Sequence, residues 1–68
     1  MEFTFEIEQE VDGRWIAEVP ELPGTLAYGS NRQEAIGKAK ALALHVLADQ
    51  IEHGERAEDL TSISFAAA

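Results

Sequence analysis

No cysteine occurs in the chain, so neither a disulfide nor a thiolate metal site can support its fold. Long hydrophobic runs are missing as well. The longest, ALALHVLA, is interrupted by His45 and is far too short to span a bilayer. The N-terminus carries Glu2 and no basic stretch, which is not the pattern of a secretory signal. A soluble cytoplasmic protein is the default expectation, with no membrane partner. Basic residues are the third scarcity: five Lys and Arg stand against 13 Asp and Glu, for a net charge of -8. A chain with that field repels phosphate, so direct nucleic-acid binding is disfavoured. It would attract a basic protein instead.

What is present is enough for one core. The 68 residues leave room for a single domain, 1–68, and 46% of them are hydrophobic. A domain this small is marginal, so apolar packing has to supply its stability, and self-association can add to it. The charge is unevenly spread. Residues 1–29 hold seven acids against Arg14 alone, and the stretch 30–54 is balanced.

Residues 2–8, EFTFEIE, alternate strictly: Phe3, Phe5 and Ile7 face one way, and Glu2, Thr4, Glu6 and Glu8 the other. That is a half-buried strand. Asp12-Gly13 signals a turn. RWIAEV (14–19) then forms a second strand with Trp15, Ala17 and Val19 inward. The pair is an antiparallel hairpin whose outer face carries Glu2, Glu6, Glu8 and Glu18. PELPG, with Pro20, Pro23 and Gly24, makes a rigid corner. Thr25–Tyr28 reads as a short third strand released by Gly29.

Ser30 with Gln33 three residues on suits a capping box. A helix is expected from about Asn31 to about Glu52, with an apolar stripe of Ile36, Ala39, Ala43, Val46, Leu47 and Ile51. Gly54 suits its C-terminal cap. Thr61–Phe65 alternate again and read as a last strand, with Ile63 and Phe65 on one side. The predicted fold is α+β, β-β-β-α-β, an antiparallel sheet with one helix on one face. The other face is left to solvent or to a partner.

No catalytic constellation is visible, and no cofactor or metal is expected. His45 lies opposite the core stripe, and His53 is eight residues further on, which is no standard ligand spacing. Ser30 is better explained as a cap than as a nucleophile. Glu6 and Glu8 could serve a metal-dependent nuclease, but they also alternate as a solvated strand face does. Gly24 and Gly29 lack the spacing and lysine of a phosphate-binding loop. Gly37, Ala41, Leu44 and Ala48 form a small-residue strip on the helix flank. Gly37 costs about 1 kcal/mol relative to alanine there. A homodimer contact would explain it; a bland alanine-rich surface is the alternative.

Taken together, the Asp12-Gly13 hairpin, RWIAEVPELPG, the short strand ending at Gly29, and Ser30 followed by Gln33-Glu34-Ala35 resemble the HicB antitoxin family over about residues 3–54. The resemblance implies a β-β-β-α-β, partial RNase H-like domain. It implies a partner of the HicA type: a small basic ribonuclease that cuts mRNA using a histidine, which the antitoxin masks. Many HicB proteins add a C-terminal DNA-binding domain. No such segment is found up to Ala68, so operator binding is not expected. From charge and strand alternation, the candidate partner-binding residues are Glu6, Glu8, Glu18 and Glu21. A homo-oligomeric module with another partner, and a residual nuclease, are the other readings.

Overall fold

The computed structural model describes residues 1–55 and 62–67. Four strands and one helix follow in the order β1 (Glu2–Gln9), β2 (Trp15–Glu18), β3 (Leu26–Gly29), α1 (Arg32–Glu52) and β4 (Ser64–Ala67). The spatial order is β3-β2-β1-β4. This is the α+β, β-β-β-α-β arrangement expected, with one correction. β1, β2 and β3 pair antiparallel, but β4 joins β1 in parallel, so the sheet is mixed. The helix returns the chain to the end of the sheet where β1 begins, and a strand laid there runs alongside β1. The last strand also starts later than Thr61, which lies outside the described residues.

The hairpin closes where the sequence demands it. The Gly13 N–H donates to the Glu10 carbonyl (2.9 Å), and the Glu10 N–H donates to the Arg14 carbonyl (2.7 Å). Asp12 holds the turn by accepting the Arg14 N–H at 3.1 Å and pairing with its Nε at 2.8 Å. In the PELPG corner, Leu22 N–H donates to the Val19 carbonyl (3.0 Å) and Thr25 N–H to the Leu22 carbonyl (2.9 Å). Gly24 has φ +84°. Pro23 then Gly24 at the two central positions make a type II turn, which needs positive φ at the second.

One face of the sheet is covered. Among the described residues, the core consists of Phe3, Phe5, Ala17, Val19, Leu22, Ala35, Ala39, Ala43 and Leu47. The helix contributes a row of three alanines and a leucine at every fourth residue. The expected stripe was off by part of a turn: Ala35 is buried, whereas Ile51 is 42% exposed. Small side chains win the inner position because the helix lies close to β3. A Cβ on Gly29 would stand 2.5 Å from the Ala35 backbone nitrogen. At the other side of the sheet, the Phe65 ring stacks on Phe5 at 5.4 Å and tilts against Phe3 at 5.6 Å, which ties β4 to β1. Ile63, expected to share the core face with Phe65, is 39% exposed.

The helix cap is also corrected. Asn31, not Ser30, is the N-cap: its Oδ1 accepts the Glu34 N–H at 2.8 Å. Glu34 reaches back to accept the Ser30 N–H at 3.0 Å. The reciprocal device is present one residue later than expected, and Gln33 has no part in it. An amide oxygen and a carboxylate at that spacing outcompete a hydroxyl and an amide. At the far end, Gly54 N–H donates to Ile51 and Glu55 N–H to Gln50, which is a Schellman closure on Gly54 as expected.

Two glycines should respond oppositely to alanine. Gly29→Ala should destabilise by about 1–3 kcal/mol, because the clash is with backbone. Gly37 has open space around its Cβ position, so Gly37→Ala should stabilise by about 0.5–1 kcal/mol. Urea unfolding of both variants reads the two signs.

Candidate functional site

The face of the sheet that no described residue covers is the candidate site. Register sets its pattern. Across it run two rows of facing residues: Leu26, Glu18, Glu6, and Tyr28, Ile16, Glu8. Each row begins apolar at the β3 edge and ends acidic on β1. Leu26 is 37% and Tyr28 39% exposed. Glu6, Glu8, Glu10 and Glu18 line an open depression together with Ile7 and Ile16.

Glu6 stands directly opposite Glu18. Like charges facing each other across a strand pair destabilise a sheet. Among the described residues, no ion pair or hydrogen bond relieves this pair. Arg14, the lone base of residues 1–29, is already engaged: it pairs with Asp12 and lies over the Tyr28 ring at 4.5 Å. Asp12 is held below its usual carboxylate range, first by the Arg14 backbone N–H and then by the side chain. The turn thus consumes the one positive charge of residues 1–29.

Glu21 belongs elsewhere. The β1–β2 register would set Pro20 opposite Thr4, but the corner turns the chain away after Val19. The Glu21 carboxylate takes the vacated place. It accepts the Thr4 hydroxyl at 2.8 Å and the Thr4 N–H at 3.2 and 3.3 Å. A half-buried glutamate thus acts as a substitute strand, closing the ladder where β2 has ended. The Thr4 hydroxyl, foremost among these bonds, lowers the Glu21 pKa below the ordinary glutamate value.

Of the sequence candidates, the fold brings Glu6, Glu8 and Glu18 together and separates Glu21 as a structural tie. Gly37, Ala41, Leu44 and Ala48 are all exposed on the helix, away from the sheet. Ser30, His45 and His53 are exposed and do not converge. His53 is the C-cap residue, with Nδ1 2.7 Å from the Asp49 carbonyl. Sequence reasoning missed the apolar border of the acidic face. Extending the strand alternation through Leu26, Ala27 and Tyr28 would have found it.

No described helix is long and apolar enough to cross a membrane. Compared with protein-family models, curated proteins and solved structures, the chain matches none.

The Glu21 tie gives a pH dependence of known sign. A carboxylate whose pKa is depressed on folding adds stability above its unfolded titration range. That contribution is lost as pH falls through the depressed folded value. Glu21→Gln should therefore be less stable than the parent at neutral pH by about 1 kcal/mol. In acid the two should converge. Urea midpoints measured from neutral pH down into the carboxylate range test this, and a constant gap at every pH would refute it.

Proposed function

We propose that the chain is an antitoxin-like protein-binding module, not an enzyme, that acts in the cytoplasm by neutralising a small basic ribonuclease of the HicA type. The observation that carries this reading is the Glu6–Glu18 apposition on an uncovered sheet face. A fold has no need of facing carboxylates, and threonine would serve that strand pair better. The repulsion becomes an advantage when a partner's lysines or arginines settle over it. Each unrelieved carboxylate then gains a counter-charge in a partly desolvated interface. The acidic balance of residues 1–29 points the same way, since it steers a basic partner toward this end of the molecule. The sequence resemblance in RWIAEVPELPG and the Gly29–Ala35 connection names the class of partner.

Masking is sufficient as a mechanism. A ribonuclease of this class needs its basic surface for RNA phosphates. An acidic face bound there competes with the substrate by the same charge it would use. The contacts proposed are Glu6, Glu8 and Glu18, with Ile16 supplying apolar contact beside them. Glu21 serves by holding the corner in place.

The test is inhibition of mRNA cleavage by a HicA-type ribonuclease. The parent chain should inhibit, and inhibition should weaken steeply as salt is raised. Replacing Glu6, Glu8 and Glu18 together by glutamine should weaken inhibition by tenfold or more, about 1.4 kcal/mol or above. The same variant should be as stable as the parent or more so, by a few tenths of a kcal/mol per relieved pair. Unchanged inhibition by a folded triple variant would remove this face from the mechanism.

A further inference from the structure

We infer that the β3 edge is a pairing site for a second copy of this chain, joining two four-stranded sheets into one of eight strands. The Val19 N–H donates to the Thr25 carbonyl, so Thr25 faces β2 and the alternation follows from there. Ala27 and Gly29 also turn their backbone groups toward β2. Leu26 and Tyr28 turn theirs outward, along the free edge. A two-fold axis through Ala27 then sets Leu26 opposite Tyr28 of the other copy, and Tyr28 opposite its Leu26. Both are outward-bonding residues, so this register makes four backbone hydrogen bonds. The three-residue segment Leu26–Tyr28 is thus complementary to itself.

The side chains agree with the backbone. Leu26 and Tyr28 are two of the exposed large apolar residues, and both lie at this edge. Pairing would pack each against the other's counterpart. Lys40 reaches the Phe65 ring on the β4 side of the helix, at 5.6 Å. Leu42, about 200° further round, is therefore on the β3-side flank, and it is 38% exposed. Two helices brought alongside by the joined sheet would cover it. The edge also lacks the usual guards against pairing. LAYG contains no charge, no proline and no bulge, in a chain of net charge -8. β4, at the other edge, is bordered in sequence by residues outside the described set.

Charge decides between edge and face. Two outer faces pressed together would bring Glu6, Glu8 and Glu18 of both copies into contact. At the edge, the nearest such carboxylate, Glu18, lies two strands from the other copy's β3. That is about 10 Å, beyond a Debye length at physiological salt. The joined sheet leaves both acidic patches open on one continuous surface. The inference therefore stands whether or not the ribonuclease reading does.

Sedimentation equilibrium and amide exchange test it on the purified chain. The parent should have twice its 7.4 kDa mass, with Leu26 and Tyr28 amides protected and losing protection on dilution. Leu26→Lys should yield the single-chain mass with an unchanged circular dichroism spectrum. Tyr28→Pro, which removes an outward N–H and a side chain of the seam but no bond to β2, should do the same if the edge is the seam. Ala41→Glu, on the exposed side of the helix, should leave the dimer intact. A parent of single-chain mass at all concentrations would overturn the proposal. So would a dimer that survives both edge variants or is broken by Ala41→Glu.

Discussion

A Cβ at position 29 would stand 2.5 Å from the Ala35 nitrogen, and the remaining architecture is arranged around that closeness. A helix can approach a strand so nearly only with a glycine below and small residues above. Ala35, Ala39 and Ala43 supply the latter. The approach lets one helix seal a core from one side of a sheet in a short chain. The larger apolar residues then fall at the borders. Phe3, Phe5 and Phe65 cluster toward β4, and Leu22 closes the corner. With one helix spent on one face, the other face has no cover within the described residues. Its chemistry is therefore open to selection for binding.

That face divides into an apolar border at β3 and a run of glutamates on β2 and β1. The division separates two kinds of contact. In the pairing inferred above, Leu26 and Tyr28 offer area and backbone groups to another copy. In the function proposed, Glu6, Glu8 and Glu18 offer charge to a basic protein. Arg14 keeps the two apart by lying on Tyr28 and pairing with Asp12, so it leaves the glutamates unneutralised. Glu21 resembles them only in composition. The corner that carries it turns it onto Thr4, where it completes a ladder.

Much of this was legible in the residues. Alternation in EFTFEIE and RWIAEV located the first two strands and which side of each is buried, because period two is a direct statement about a half-covered sheet. PELPG and Gly54 declared their turns, since proline and glycine act through backbone geometry that does not depend on context. Four points were not legible. The direction of β4 follows from where the helix leaves the chain, a tertiary fact. The buried helix row contains three alanines, which hydropathy ranks below isoleucine, so Ile51 was preferred to Ala35. The Thr4–Glu21 bonds join residues 17 apart through a gap that exists only once Pro20 has left the sheet. Ser30 and Asn31 are both good caps, and the choice between them rested on Glu34 rather than Gln33.

The central claim is that the unrelieved glutamates of the outer face exist for a basic partner. The most direct measurement is recovery of the tagged chain from its native cells at low salt. The parent and the variant with Glu6, Glu8 and Glu18 replaced by glutamine would be compared by mass spectrometry. The account predicts a small basic ribonuclease with the parent, released by raising salt, and its loss from the variant. Recovery of the parent only with itself, or of the same partner with both, would contradict it.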